Sequence, residues 1–344
     1  MKHQSIHKIL ATLGPCSLNG EVIAGMEEAG VSLFRINLSH TRIEDLEDVI
    51  KTIRSFTEVP ICIDSEGAQI RTRKLVGGKI NLEEGARLNI RFDGEDGDSG
   101  NLSFYPGDIA SKFLPGDEID IDFYGARLQV EKTSDQSATA IVIRGGNIGE
   151  NKAVSVNRQI ELPYVTKKDI AAIAVGRQMG VGHFALSFTN TETDVQEFRS
   201  RIGGSAFLIS KVESVRGLRN LMGIADEADA ILIDRGDLSR EVPIEQIPFI
   251  QRRIIASVKS RGKPVYVATN LLESMIEWHA PNRAEVNDVV STLEMGASGL
   301  VLAAETAIGN HPLEAVRTVR RLIDHFSHWT PNTNFEELLR METD

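Results

Sequence analysis

The stretch AFLISKVESVRGLRNLMGIADEADAILIDRGD (206–237) decides the fold. It begins with a β-rich apolar run (Ala206–Lys211), continues with apolar residues at helical spacing (Val215–Ile224) and returns to a second apolar run (Ala230–Ile233). Two such runs joined by one helix predict parallel strands, because the helix carries the chain back to the starting edge of the sheet. The stretch therefore predicts a βα unit of an α/β protein.

The same unit recurs along most of the chain. Eight runs have the length and composition of buried strands: Ile9–Thr12, Leu33–Asn37, Ile61–Asp64, His183–Ser187, Ala206–Lys211, Ala230–Ile233, Val265–Thr269 and Gly299–Leu302. Helical patterns follow most of them: Glu21–Glu28, Arg42–Phe56, Lys168–Met179, Thr193–Arg201, Val215–Ile224, Ile247–Arg261, Ala284–Met295 and Pro312–Phe326. Eight alternating strands and helices with short connections predict a closed (β/α)8 TIM barrel.

The alternation breaks between about residues 73 and 158. Runs with a period of two replace it there, separated by Gly-rich and acidic turns: Arg87–Phe92, Glu118–Phe123, Arg127–Glu131 and Thr139–Arg144. This period is typical of half-buried strands. We therefore expect a barrel formed by residues 1–72 and 159–330, a small all-β lid domain inserted after the third strand (73–158), and a C-terminal tail (331–344).

Composition and charge exclude some classes of function. The chain has 344 residues, of which 41% are hydrophobic and 25% charged, and its formal net charge is −11. This charge argues against binding to nucleic acid or to an anionic membrane, although a local cluster of Arg and Lys still accommodates an anionic substrate. There is no signal region, no apolar run of membrane-spanning length and no metal or disulfide spacing at Cys16 and Cys62, so we expect a cytoplasmic protein.

Polar residues at the carboxyl ends of the predicted strands are the candidates for chemistry, because these ends carry the active site of a TIM barrel. Period-two alternation points Lys211 and Glu213 in the same direction, and Asp237 follows the next strand. Glu213 and Asp237 are thus placed to share one Mg2+ or Mn2+ ion, and the N–H groups around Gly236 to bind a carboxylate or phosphate. A structural salt bridge explains the Lys211–Glu213 pair equally well.

A second group of oxygen donors follows the second and third strands. Asn37, Ser39, Asp64 and Ser65 suit a monovalent cation beside a phosphate. Helix capping explains Asn37 or Ser39 better when each is considered alone, and His40 by itself is a turn residue.

Taken together, these segments resemble the pyruvate kinase family. The similarity runs in the family's order over nearly the whole chain and is far more specific than a single motif. The matching segments are ATLGP (11–15), FRINLSH (34–40), IDSEGAQIRT (63–72), GENKAV (149–154), ISKVES (209–214), DRGDLSREVP (234–243), VATNLLESMI (267–276), NRAEVNDV (282–289) and LAAETAIGNHPLEAV (302–316).

The resemblance implies a role for each matching residue. Arg35, Lys211 and Thr269 are the implied catalytic residues, and these three with Gly236 and Asp237 are implied to bind phosphoenolpyruvate or pyruvate. The implied metal ligands are Glu213 and Asp237 for Mg2+ or Mn2+, and Asn37, Ser39, Asp64 and Ser65 for K+. The implied nucleotide-binding residues are Asn37, His40, Arg71 and Lys152, although Lys152 alone looks like a solvated lysine.

The chain departs from the family pattern mainly on the nucleotide side. Glu66 replaces a lysine, Gln69 an acid and Asp234 an alanine, and further differences lie at Ala68, Asn270, Ser239-Arg240 and residues 153–158. Glu66 changes the local charge by about two units, which disfavours anionic phosphates unless it pairs with a nearby arginine such as Arg71 or Arg73. The sequence ends soon after the last barrel helix, so we expect the family's C-terminal domain to be absent.

Three functions are compatible with these residues. The first is a pyruvate kinase-like phosphotransferase that uses Mg2+ and K+ to convert phosphoenolpyruvate and ADP into pyruvate and ATP. The second is other metal-dependent chemistry on a related 2-oxo acid, namely decarboxylation, aldol cleavage or phosphoryl transfer to another acceptor. The third is a non-catalytic regulatory homologue. A homo-oligomer is compatible with each of them.

Overall fold

The computed structural model describes residues 7–67, 69–92, 95–122, 125–158 and 160–340. The chain divides into two compact units: the first extends up to Gly67 and resumes at Tyr164, and the second occupies the chain between them. The domain boundaries predicted at 72/73 and 158/159 stay predictions, and residues 159 and 341–344 lie outside the described residues.

The first unit is built on a closed barrel of eight parallel strands, and this part of the prediction is confirmed. Neighbours in sequence are neighbours in the barrel, and the last strand pairs with the first. The strands are β1 (Lys8–Leu13), β2 (Val31–Asn37), β3 (Ile61–Asp64), β4 (His183–Leu186), β5 (Phe207–Val212), β6 (Ala230–Asp234), β7 (Val265–Ala268) and β8 (Gly299–Leu302).

Helices connect the barrel strands. The α-helices are α1 (Gly20–Glu28), α2 (Leu46–Arg54), α3 (Lys167–Gln178), α4 (Glu192–Ile202), α5 (Val215–Arg219), α6 (Leu221–Glu227), α7 (Arg235–Leu238), α8 (Ile247–Lys259), α9 (Arg283–Glu294), α10 (Ala304–Ala307), α11 (Pro312–His328) and α12 (Phe335–Leu339). Short 3-10 helices occupy Ile43–Asp45, Ile244–Gln246 and Glu273–Ile276.

The single helix predicted over Val215–Ile224 is wrong in one respect, because two helices, α5 and α6, occupy this region. The break lies at Asn220, whose backbone has φ −103° and ψ 11°. The Asn220 side-chain amide donates to the carbonyl oxygens of Asn190 and Arg216. An Asn side chain that bonds nearby backbone groups competes with the helical pattern, and the sequence period does not reveal this competition.

The barrel interior explains why polar side chains gather at its carboxyl end. Every barrel strand contributes to one small buried apolar cluster: Leu10, Leu33, Cys62, Ala185, Ile209, Ala230, Leu232, Tyr266, Ala268 and Val301. Side chains two residues apart on a strand point to the same side. The residues two positions after these apolar ones, such as Arg35, Asp64 and Lys211, therefore also point inward, one layer nearer the carboxyl ends.

The second unit consists mainly of antiparallel strands around its own apolar core. Seven strands form a closed sheet in the spatial order Ser137–Arg144, Arg87–Arg91, Asn101–Tyr105, Ile70–Thr72, Ala153–Val156, Glu118–Ile121 and Ala126–Thr133. Lys79–Leu82 pairs separately with Gly146–Gly149, and Ile109–Lys112 is a 3-10 helix. Phe123, the last residue of one predicted run, lies outside the described residues.

In the parts of the chain that the structure describes, we find no helix that combines the length and the apolar composition needed to cross a bilayer.

Candidate active site

A buried ion pair lies at the carboxyl ends of β2 and β3. Arg35 Nε donates to Asp64 Oδ2 at 2.6 Å, and Arg35 Nη1 donates to Thr12 Oγ1 at 3.0 Å. Burial disfavours the charged guanidinium, but Asp64 and Asp234 outweigh it and raise the pKa of Arg35. The guanidinium is therefore fixed in place by groups from two neighbouring strands.

Lys211, at the end of β5, lies among three carboxylates. Its Nζ is 2.9 Å from Glu213 Oε1, 3.4 Å from Asp64 Oδ2 and 3.6 Å from Asp234 Oδ2. Nζ also donates to Ser187 Oγ at 3.1 Å. Burial alone favours the neutral amine, but these carboxylates outweigh it and raise the pKa of Lys211 well above its ordinary value. Lys211 is thus a permanent buried cation.

Glu213 and Asp234 respond differently to the same surroundings. Burial raises the pKa of Glu213 to about 8, with Lys211 opposing the shift and Asp237 adding to it. Burial also disfavours the Asp234 carboxylate, but Lys211 and a hydrogen bond from Thr269 prevail and lower the pKa of Asp234. Glu213 thus holds a proton easily when no cation is bound, whereas Asp234 favours the ionised form.

The oxygen atoms near Asp237 fit a divalent cation. Glu213, Asp234 and Asp237 each place one carboxylate oxygen within 4.8 Å of the other two. Glu213 Oε1 faces the Lys211 ammonium but accepts no regular hydrogen bond from the described residues. Hard oxygen donors are what Mg2+ and Mn2+ prefer. Asp237 also pairs with Arg240 at 2.9 Å, so one of its oxygens is already engaged.

Thr269, directly after β7, has a strained backbone, with φ +76°. Arg235 donates from Nε and Nη2 to the Thr269 carbonyl oxygen at 3.0 and 2.6 Å, and its Nη1 donates to Asp288 at 2.7 Å. Thr269 Oγ1 donates to Asp234 Oδ1 at 2.5 Å. A Cβ on Gly236 would lie 2.8 Å from Thr269 Cγ2, so only glycine leaves room for this threonine.

The four residues implied to hold K+ lie on or after β2 and β3. Asn37 and Asp64 are register partners, and Asn37 Oδ1 accepts from Ser39 N at 3.0 Å. The Ser65 carbonyl oxygen accepts from Ser187 Oγ at 2.7 Å. These oxygens have the chemistry that suits a hard monovalent cation, although Asp64 already contacts both Arg35 and Lys211.

The residues implied to bind the nucleotide do not all belong to one unit. Asn37 and the exposed His40 follow β2 in the first unit. In the second unit, Arg71 Nη1 donates to the Asn151 carbonyl at 3.0 Å, and Lys152 Nζ lies 3.2 Å from Asp122 Oδ2. Strands containing Arg71 and Ala153 pair antiparallel, which brings Arg71 and Lys152 close together within that unit.

Glu66 pairs with a lysine. Its carboxylate lies 3.1 Å from Lys168 Nζ, a partner that the sequence analysis does not name. The loop around Glu66 is held by Asp169, which caps α3 and accepts from the N–H groups of Glu66 and Gly67. The extra acid is therefore largely balanced by a lysine that is distant in sequence.

Sequence reasoning left three residues of this cluster without a role. Thr12, Ser187 and Asp234 all contact Arg35, Lys211 or Thr269. Each stands two residues after a member of the inner apolar cluster. The spacing rule that points Arg35 and Lys211 inward thus also points these three residues inward.

Comparisons with known proteins agree with this geometry. Residues 4–316 match the family model described as pyruvate kinase, barrel domain. The pyruvate kinase of Methylorubrum extorquens is 36% identical to this chain over 330 residues, an alignment that covers 94% of this chain and 69% of that protein. The pyruvate kinase of Thermotoga maritima is 37% identical over 328 residues, which cover 92% of this chain and 70% of that protein. A crystal structure of a pyruvate kinase from Cryptosporidium parvum superposes with a TM-score of 0.84 at 31% identity, covering 95% of this chain and 70% of that one. The chain therefore belongs to the pyruvate kinase family.

Proposed function

We propose that this chain transfers a phosphoryl group from phosphoenolpyruvate to ADP, giving pyruvate and ATP, with Mg2+ (or Mn2+) and K+ as cofactors. The observation that carries the proposal is the pair of buried cations, Arg35 and Lys211, which share the Asp64 carboxylate at the carboxyl end of the barrel. Catalysis of phosphoryl transfer consists mostly of positioning and charge stabilisation, and fixed buried cations supply both.

The residues act through charges that are in place before substrate binds. Arg35 and Lys211 stabilise negative charge on the phosphoryl oxygens, and their own carboxylate partners prevent them from turning away. Glu213 and Asp237 would hold a divalent cation, which would supply Lewis acidity for the oxygens of the bound three-carbon acid. Thr269 and Gly236 line the side on which the three-carbon acid is proposed to bind.

The nucleotide side of the proposal rests on the second unit and on the end of β2. His40, Arg71 and Lys152, with Asn37, are proposed to bind the phosphates of ADP, and Asn37, Ser39, Asp64 and Ser65 to bind K+. We also propose that residues 73–158 form the small inserted domain of the family. Support comes from the positions of these residues in matching segments of the family.

One observation favours a second candidate, which is metal-dependent chemistry on a 2-oxo acid without a nucleotide. Asp234 adds a carboxylate to a cluster that already contains Asp64 and Glu213. Glu213 holds its proton easily when no cation is bound, so Asp64 and Asp234 together balance the cations Arg35 and Lys211. The cluster then has no excess positive charge, which disfavours a highly anionic ligand such as phosphoenolpyruvate unless a bound metal ion adds positive charge.

A coupled assay distinguishes these proposals. The purified chain is incubated with phosphoenolpyruvate, ADP, Mg2+ and K+, and pyruvate is detected with lactate dehydrogenase. Pyruvate formation that requires ADP supports the first proposal. Turnover of a 2-oxo acid in the absence of ADP supports the second. Binding of metal or oxo acid without any turnover overturns both and supports a regulatory homologue.

A further inference from the structure

Three consecutive residues hold three different parts of Thr269. Asp234 accepts the hydrogen bond of its hydroxyl, Arg235 donates two hydrogen bonds to its carbonyl oxygen, and Gly236 leaves the space into which its methyl group packs. Asp288 in turn fixes the Arg235 guanidinium. This segment therefore acts as a clamp on a single threonine.

The clamp maintains a conformation that Thr269 does not adopt readily. A β-branched residue at φ +76° is a true outlier, and such a backbone conformation is unfavourable for any residue with a Cβ. It persists only where the surroundings fix it. Such strained residues concentrate at functional sites, which indicates that the orientation of the Thr269 side chain matters for ligand binding.

The direction of the hydroxyl proton follows from its partner. Asp234 lies 3.6 Å from the Lys211 ammonium, and its Oδ1 accepts the hydrogen bond from Thr269 Oγ1; a carboxylate oxygen only accepts hydrogen bonds. A hydroxyl group has one proton to donate and two lone pairs. Because the proton of Thr269 points to Asp234 across 2.5 Å, only the lone pairs remain for a bound molecule.

We propose that Asp234 fixes Thr269 as a hydrogen-bond acceptor, so that the site binds a 2-oxo acid with a hydroxyl donor on the carbon next to the keto group more tightly than it binds pyruvate itself. Asp234 is then a positioning residue that sets specificity through Thr269. This inference rests on the proposed function, in that it requires a metal-bound 2-oxo acid at this end of the barrel.

Three ligands of equal charge test the proposal: pyruvate, 3-hydroxypyruvate and 3-fluoropyruvate. The hydroxyl donates a hydrogen bond, whereas fluorine is of similar size and cannot. Dissociation constants are measured by calorimetry with Mg2+, and each is corrected for the hydrated fraction of the free ligand. The wild type is expected to bind 3-hydroxypyruvate about fivefold to tenfold more tightly than 3-fluoropyruvate, as one additional hydrogen bond provides.

Variants show whether the preference passes through the clamp. Asp234→Ala frees the Thr269 hydroxyl to rotate and should reduce the ratio to less than about twofold. Thr269→Val removes the acceptor and should abolish the preference, whereas Thr269→Ser should keep it. Asp226→Asn, at an exposed ion pair with Arg261, is the matched control and should leave the ratio unchanged. The overall charge effect of Asp234 cancels in the ratio, since the ligands have the same charge.

Two failures are distinguishable. If the wild type binds 3-fluoropyruvate or pyruvate as tightly as 3-hydroxypyruvate, or if either Asp234→Ala or Thr269→Val keeps the preference, the proposed role of Asp234 is wrong while the proposed function stands. If none of the three ligands binds the wild type with Mg2+, the proposed function fails and this inference fails with it. Should Asp234→Ala not fold, the pair Thr269→Val and Thr269→Ser tests the acceptor on which the proposal depends: the proposal is wrong if Thr269→Val keeps the preference or if Thr269→Ser loses it.

Discussion

Two pairs of cationic side chains in this molecule are held in very different ways. Arg35 and Lys211 are only 6% and 5% exposed, and they bind carboxylates that come from other barrel strands. The Lys152 side chain is 47% exposed, and Lys152 and Arg71 contact turn residues of their own small unit, Asp122 and Asn151. Buried charges are therefore part of the fold as well as of the site, whereas exposed charges are available for binding at little structural cost.

Lys211→Ala should give the largest effect, because it removes the buried ammonium shared by three carboxylates. We expect kcat to fall by about 10³ or more with a smaller change in KM, as for a group that acts on the transition state. We also expect the free energy of unfolding to fall by about 3–5 kcal/mol, since unpaired charge stays buried. Steady-state kinetics and urea unfolding measure both. A variant that raises only KM would remove Lys211 from the chemical step.

Glu213→Gln and Asp237→Asn should lower Mg2+-dependent activity by about 10²–10³. Each replaces a carboxylate oxygen of the proposed metal site with an amide of the same shape. Titration of Mn2+ binding by electron paramagnetic resonance provides a readout that is independent of activity, and circular dichroism checks the fold. Asp226→Asn is again the control. If either variant keeps wild-type Mn2+ affinity, that residue is not a ligand.

The proton held by Glu213 predicts a pH dependence of stability in the absence of divalent metal. Because burial raises its pKa from 4.5 to about 8, the folded state retains a proton that the unfolded state has lost. This contribution is complete below pH 4.5 and decreases as the pH rises to about 8. The lowered pKa of Asp234 acts only below its ordinary value of 3.8, outside this window. Urea unfolding of wild type and Glu213→Gln in EDTA should therefore show the wild type losing its relative stability across this range; parallel curves would contradict the assignment.

Arg71→Ala and Lys152→Ala should change binding and leave stability alone. We expect KM for ADP to rise about threefold to tenfold with kcat much less affected, and the free energy of unfolding to change by less than about 0.5 kcal/mol. KM for ADP and for phosphoenolpyruvate are measured separately. A loss of stability comparable to that of Lys211→Ala would remove the distinction between the two pairs.

Glu66→Lys should have the smallest effect. From the sequence alone, the acidic Glu66 predicts that ADP is used poorly and that Glu66→Lys, ideally with Gln69→Glu, raises kcat/KM for ADP. Lys168 balances Glu66, so we now expect a gain of no more than about threefold, with a loss of stability of up to about 1 kcal/mol from the two facing lysines. Kinetics at fixed ionic strength tests both quantities, and a gain of tenfold or more would show that Glu66 does limit ADP.

The part of this structure that the sequence predicts is the part governed by local periodicity. The barrel strands follow from apolar runs, and Lys211 and Glu213 follow from period-two alternation at a strand end. Local periodicity does not predict contacts between side chains that are distant in the sequence. Lys168 lies 102 positions after Glu66 in the sequence, and it reaches Glu66 only because α3 starts beside that loop. Asn220 likewise breaks a regular helical pattern through one side-chain amide.

The measurement that tests the central claim most directly is transfer of ³²P from labelled phosphoenolpyruvate to ADP in a single turnover, with Mg2+ and K+, in the wild type and in Lys211→Ala. The buried cation cluster predicts labelled ATP from the wild type, and a transfer rate lower by about 10³ in the variant. A wild type that forms no labelled ATP, or a Lys211→Ala variant that transfers the label at the wild-type rate, would contradict the account.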